Sequence, residues 1–170
     1  MAGDLRLRPA RLEDEATVRI AQHELAADDF EFAFGLTDDA SWVELLGRWE
    51  HQRLLRPLPP GFVPGTFLLA VVDGEIVGRS SIRYELNEWL AQFAGHIGYG
   101  IRPAHRRRGY ATEILRQSLV IVRAMGVDEV LVTCDDDNAG SAGAIERCGG
   151  ELEGVSLRED GTPFRRYWIR

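Results

Sequence analysis

Residues 66–86 constrain the fold more than any other stretch. TFLLAVV (66–72) is unbrokenly apolar from Phe67 to Val72, Asp73-Gly74 follows it, and EIVGRSSIRYEL (75–86) continues. An Asp-Gly pair between two such runs predicts a two-residue hairpin, because both turn residues need positive φ and this pair tolerates it. The chain is thereby committed to antiparallel pairing at its centre. AQFAGHIGYGIRP (91–103) predicts a further strand, punctuated by Gly98 and Gly100 and ended by Pro103, the glycines marking a bulge or a close backbone approach. Residues 110–125 predict an amphipathic helix. Ala111, Leu115, Leu119, Val122 and Met125 share one face, Glu113 and Arg123 suit the helix dipole, and Gly126 supplies the stop.

Weaker signals fill in the rest. LRLRP (5–9) predicts a short first strand, and residues 12–28 a helix with Leu12, Ala16, Ile20 and Leu25 inward. A looser helix follows Asp39, with Ser41 as N-cap and Trp42, Leu45, Leu46 and Trp49 on one face. RPLPPGFVPG (56–65) is a loop, as is 87–92. DEVLVTC (128–134) predicts a buried strand, 138–148 a last helix, and ELEGVSL with PFRRYWI a closing hairpin. The order predicts an α/β (α+β) fold, with a mixed sheet in one domain spanning residues 1–170. That length suits a single domain of roughly 100–200 residues.

Charge narrows the function classes. All 20 basic side chains are arginine and the net charge is −7. Without lysine, Schiff-base and P-loop lysine mechanisms are excluded. The acidic balance disfavours general nucleic-acid or anionic-membrane binding. Residues 61–127 nevertheless form a basic island, with 8 arginines against 5 carboxylates. No leader or spanning segment is apparent and the two cysteines, Cys134 and Cys148, match no metal-ligand spacing. A cytoplasmic protein without a metal is therefore expected. The oligomeric state is open, a homodimer included.

The island holds the chemistry. Arg102, His105, Arg106, Arg107 and Arg108 precede Gly109, Tyr110 and the helix. A helix start leaves backbone N–H groups without partners, the dipole adds positive charge there, and glycine allows close approach by an anion. Strand, basic glycine loop and helix together predict an anion site, although a solvated arginine turn would read the same way.

The spacing Arg106-x-x-Gly109-x-Ala111 resembles the Q/R-x-x-G-x-G/A signature of the GNAT superfamily of N-acetyltransferases. The stretches HIGYGIRP, RRRGYATE, TCDDDN and RRYWI also look like an uncharacterised bacterial branch of it. The resemblance implies a mostly antiparallel central sheet with helices on both faces. It implies acetyl-CoA as acetyl donor and a small-molecule or peptide amine as acceptor. Tyr99, Gly100 and Ile101 would lie beside the pantetheine arm. Arg106 would fill the first signature position, and Arg107, Arg108, Gly109, Tyr110, Ala111 and Thr112 would hold the pyrophosphate. Asn138 would contact the same arm, or simply cap the following helix.

Catalytic side chains are less evident. A base is needed because an alkylamine is mostly charged at neutral pH. His96 and Glu85 are candidates, against a structural histidine and an exposed loop carboxylate. Many relatives carry a tyrosine acid seven residues after the position of Asn138; here that residue is Ile145. Tyr99 or Tyr84, water, or no acid at all would then serve. The substitution also raises the alternative of a CoA-binding or sensing module with impaired turnover. Cys134 offers an acetyl-cysteine route, against an inert buried thiol. Asp135-Asp136-Asp137 would attract a cationic acceptor, or be a solvated loop. The aromatics Trp42, Trp49, Trp89, Phe30, Phe32, Phe34 and Phe62 would line an acceptor pocket or fill the core.

Overall fold

The computed structural model describes residues 4–54 and 57–170. Arg56, the start of the expected proline-rich loop, lies outside the described residues. The elements run β1 (Arg6–Arg8), a 3-10 turn (Leu12–Asp14), α1 (Glu15–Ala26), α2 (Trp42–Arg53), β2 (Gly65–Val72), β3 (Glu75–Arg83), α3 (Glu88–Phe93) and β4 (Ile97–Ile101). A second 3-10 turn (Pro103–His105) leads to α4 (Tyr110–Ala124), β5 (Val130–Asp135), α5 (Ala139–Arg147), β6 (Gly150–Leu157) and β7 (Pro163–Ile169).

The hairpin forms as its turn residues dictate. Asp73 and Gly74 have φ of 50° and 85°, and Val72 faces Glu75 across the turn. Strands β1–β2–β3–β4 make one antiparallel sheet and β5–β7–β6 another. Along β2, Phe67 and Leu69 pack with α1, α2 and the 32–36 loop, while Leu68 and Ala70 join clusters that include α4. Both faces of β2 are covered, which explains why its sequence is continuously apolar rather than alternating. Each fully buried aliphatic side chain there contributes about 1.5–3 kcal/mol. The expected α/β architecture, mostly antiparallel with helices on both faces, is the one the chain forms.

Three local expectations shift. The first helix turns a different face inward: Val18, Ala21 and Leu25 are buried, while Leu12 and Ile20 are exposed. Ile20 lies two residues from Val18 within α1, which puts it on the side of the helix opposite the face that Val18, Ala21 and Leu25 share. The segment 87–92 is largely helical, started by Asn87, whose Oδ1 accepts from Leu90 N at 2.9 Å. The strand foreseen over 91–103 is consequently confined to 97–101. In α4 the buried face is Tyr110, Ile114, Leu115, Ser118, Leu119 and Val122; Met125 lies past the helix end and is exposed. Ser41 does cap α2, accepting from Glu44 N.

Asp14 ties β1 to α1. Its carboxylate takes two bonds from Arg8, at 2.7 and 2.8 Å, and one from Arg11 N at 2.7 Å. Burial alone would raise its pKa, but the Arg8 guanidinium and the Arg11 N–H outweigh it and hold the carboxyl below its ordinary value. A depressed carboxyl stabilises the fold above its unfolded pKa, and that contribution is lost as pH falls through the folded value. Asp14→Asn is expected to cost about 2 kcal/mol at pH 7, roughly 5 °C in Tm. The gap to the parent should narrow in acid, as circular dichroism melts at pH 7 and pH 3 would show.

Among the described residues, the backbones of the two sheets are bonded to each other at one place. Gly95 bridges Val132, His96 N donates to Leu131 O at 2.8 Å, and Leu131 N donates to His96 Nδ1 at 3.0 Å. Gly95 has φ of 74°, and a Cβ there would sit 2.4 Å from Leu131 O, so only glycine fits. Past this point β4 and β5 share no ladder, and a cleft separates them.

Candidate active site

That cleft has a volume of about 1110 Å³. It runs from β4 and the start of α5 to the N-terminus of α4, with Leu25, Asp28 and Phe30 on the α1 side. Its ends differ chemically. At one end, α4 begins at Gly109 (φ 82°) with no side chain capping it. Arg107 is also left-handed, at φ 62°. The first-turn N–H groups of Tyr110, Ala111 and Thr112 therefore face the opening with the positive end of the dipole behind them. Arg107, Gly109, Tyr110, Ala111 and Thr112 all line it, with Arg116 and Arg147 nearby. Arg106 lines it too, paired with Asp28 at 2.5 Å and donating to Ile101 O at 3.2 Å. Arg108 is exposed, donates to Ala104 O, and is not among the lining residues. Arg102 is tied to Glu24 by bonds of 2.8 and 2.9 Å and braces the strand.

At the other end is the free edge of β4. Arg83 N donates to His96 O at 2.8 Å and Arg102 N to Val77 O at 2.9 Å. Antiparallel ladders alternate, so Gly98, Gly100 and Arg102 turn their amides toward β3, while His96 gives β3 its carbonyl and β5 its N–H. Ile97, Tyr99 and Ile101 turn theirs outward. Tyr99 and Ile101 thus present backbone donors and acceptors to the cleft, and Gly100 instead presents a bare face. A Cβ on Gly100 would lie 2.4 Å from Phe30 Cε1.

Tyr99 is the one catalytic candidate inside the cleft. Its hydroxyl lies 2.7 Å from Ser141 Oγ. Burial pushes its pKa well above the usual phenol value, with the Ser141 bond opposing, so it stays protonated at neutral pH. Asn138 caps α5, accepting from Ser141 N at 3.0 Å, and also lines the cleft. His96 lies elsewhere. It is buried at the junction of the sheets, its Nδ1 lone pair occupied by Leu131 N, and burial with the nearby Arg83 keeps it neutral. Glu85 is exposed in the bend after β3 and does not line the cleft. Ile145 is fully buried among Leu115, Val132 and Tyr167, so α5 offers no side chain to the cleft from that position.

Other candidates resolve into structure. Burial raises the pKa of Cys134 and of Cys148, leaving both as thiols. Asp135 and Asp136 are paired with Arg158 and Arg165, at 2.8 and 2.7 Å, which blunts the acidic run. Trp42 is buried and Trp49 stacks on Phe67 with centroids 4.2 Å apart, so both belong to the core. Trp89 and Phe62 are exposed. Among the described residues, no group of three or more His, Cys, Asp or Glu is placed to hold a metal, and no helix is long and apolar enough to cross a membrane. Sequence reasoning overlooked Ser141 as the partner of Tyr99. The alternation of β4 was the available signal, since it sends Tyr99 to the face opposite Gly98 and Gly100.

A family model described as an acetyltransferase (GNAT) domain matches residues 4–151. No curated protein matches significantly by sequence. Several solved structures share the fold. Mycobacterium smegmatis RimJ, in complex with CoA-disulfide, aligns with a TM-score of 0.72 at 20% identity, covering 99% of this chain and 82% of that one. The microcin C7 self-immunity acetyltransferase MccE, with acetyl-CoA and AMP, gives 0.70 at 17% identity, covering 98% and 95%. Salmonella typhimurium yncA, described as a putative acetyltransferase with its cofactor acetyl-CoA, gives 0.67 at 15% identity, covering 98% and 93%. An uncapped helix start beside an unpaired strand edge, in a chain that this model matches from residue 4 to residue 151, makes the protein a member of the GNAT acetyltransferase family.

Proposed function

We propose that residues 1–170 form one cytoplasmic domain that moves the acetyl group of acetyl-CoA to an amine of a small molecule or peptide by direct transfer. The observation that carries this reading is the continuity of the cleft: a bare helix N-terminus and an open strand edge line one space of about 1110 Å³. That pairing suits an elongated ligand with a phosphate group at one end and an amide-bearing arm at the other. Two relatives bound to acetyl-CoA add support. The unpaired thiols of Cys134 and Cys148 accord with a reducing compartment.

Acetyl-CoA, when bound, supplies the thioester. The chain's own groups do the rest. The N–H groups of residues 107–112 hold phosphate oxygens, and outward amides of Tyr99 and Ile101 align the arm. A β4 N–H is available to polarise the thioester carbonyl. The acceptor nitrogen must be neutral to attack; its N–C bond forms as the C–S bond breaks, and its surplus proton goes to a base or to water. The Tyr99 hydroxyl, protonated and anchored by Ser141, donates a hydrogen bond to the departing sulfur rather than a free proton.

Titration calorimetry with acetyl-CoA, followed by thiol release across an amine panel, tests the reading. Binding and turnover are expected. Tyr99→Phe should lower kcat about 10-fold or more while leaving acetyl-CoA affinity near the parent value. Tight binding with background thiol release across the panel would instead favour the CoA-sensing module to which Ile145 points. Absence of acetyl-CoA binding would overturn both.

A further inference from the structure

Two arginines on β3 lack a carboxylate partner. Arg79 and Arg83 lie four residues apart on one face of the strand, and neither is in an ion pair among the described residues. Most arginines elsewhere have carboxylates. Both guanidinium groups converge on Gly98: a Cβ there would lie 3.6 Å from Arg79 Nη1 and 3.8 Å from Arg83 Nη1.

The two are not equivalent. Arg79 is buried and each of its three nitrogens donates once, to Phe32 O, Gly98 O and Glu31 O, each at 2.9 Å. The rings of Phe30 and Phe34 lie 4.4 and 4.8 Å from its Cζ. Glu31 lends it some Coulombic support, but Glu31 Oε1 is bonded to Gly35 N at 2.8 Å. Arg83 gives one bond, from Nη1 to Gly95 O at 3.2 Å, leaving N–H groups uncommitted. It is part-buried, Gly98 beside it is part-exposed, and Phe34 is 36% exposed. The place is therefore reachable from solvent. Desolvation without a counter-charge is costly for a cation and makes it a strong anion receptor.

Position gives this receptor a purpose. Gly98 is two residues from Gly100, a span of about 6.5 Å along a strand, and Phe30 links the two places, since its ring packs on Arg79 and on the bare face of Gly100. We propose that the acceptor amine carries an anionic oxygen group, a carboxylate or its phosphonate counterpart, which docks on Arg83 over Gly98. The proposal rests on the acetyl-transfer reading above. It stands against the cationic acceptor suggested by the acidic run, of which Asp135 and Asp136 are paired with Arg158 and Arg165 and Asp137 alone lines the cleft without an ion pair among the described residues. Arg79 contributes charge and holds the 30–34 wall. Arg83 supplies the directional bonds.

Matched acceptors decide the matter. Thiol release is measured for glycine and β-alanine, their carboxamides and their aminophosphonate analogues, with the parent protein and with Arg83→Gln and Arg83→Lys. The anionic member of each pair is expected to exceed its amide by at least about 10-fold in kcat/KM. Arg83→Gln should reduce that ratio toward one, with Arg83→Lys retaining part of it. The carboxylate and phosphonate arms show which anion is read. Equal rates for acid and amide in the parent, or an unchanged ratio in folded Arg83→Gln, would overturn the proposal. So would failure of every anionic amine while acetyl-CoA still binds, a result that leaves the cofactor assignment standing. Loss of acetyl-CoA binding by the parent would instead strike the reading beneath. If Arg83→Gln does not fold, the parent's acid-to-amide ratio decides alone.

Discussion

Gly109→Glu is expected to raise the acetyl-CoA dissociation constant by at least about 100-fold, from the loss of one or two charge-assisted bonds worth about 1.5–3 kcal/mol each. Gly109 sits at the uncapped start of α4. A glutamate there would compete for the first-turn N–H groups and repel a phosphate. The fold should tolerate it. A Cβ at this position meets nothing within 4 Å, so the cost is that of a left-handed non-glycine residue, about 1–2 kcal/mol. Negative charge at a helix start offsets part of it. Calorimetry on the folded variant, with Gly109→Ala as the steric control, separates charge from strain. Unchanged affinity in folded Gly109→Glu would remove this loop from the cofactor site.

The second large effect concerns Arg79. Arg79→Leu removes one donor group that serves three carbonyls and two aromatic rings. Burial draws the guanidinium pKa down to about 9, yet it stays charged at neutral pH. Relief of that desolvation works in the variant's favour. The loss of acceptor partners works against it, at about 1–3 kcal/mol for each oxygen left unsatisfied. The net is expected near 3 kcal/mol of destabilisation, roughly 10 °C in Tm. The 30–34 segment should also lose amide-exchange protection ahead of the sheet. A Tm within about 2 °C of the parent would mean that other contacts hold this wall, among them Gln22 Oε1, which accepts from Ala33 N at 2.8 Å.

The hairpin and the start of α4 were legible because their signals are local. Asp73-Gly74 specifies its own turn, and Gly109 before a periodic stretch marks where the helix begins. The face of α1 was not, because apolar residues stand on both sides of the helix, Ile20 on one and Val18, Ala21 and Leu25 on the other, and only packing decides between them. Short α3 escaped for another reason: six residues carry too little periodicity to distinguish them from loop, although Asn87 was a usable start signal. The role of His96 depends on Leu131, 35 residues away, and the convergence of Arg79 and Arg83 depends on what faces them across β4. Such partners are set by tertiary pairing alone. An arginine followed four residues later by another on a strand nevertheless places two charges on one face, a signal that composition concealed among twenty arginines.

The junction of the two sheets has a geometric corollary. Joined at Gly95 and Val132 and unpaired beyond, β4 and β5 enclose a wedge. Width in a wedge is a function of distance from the apex, so depth of entry measures girth. The interlock of His96 with Leu131 marks the apex of that wedge, so the spacing of the two sheets there is held by one imidazole ring and one backbone pair.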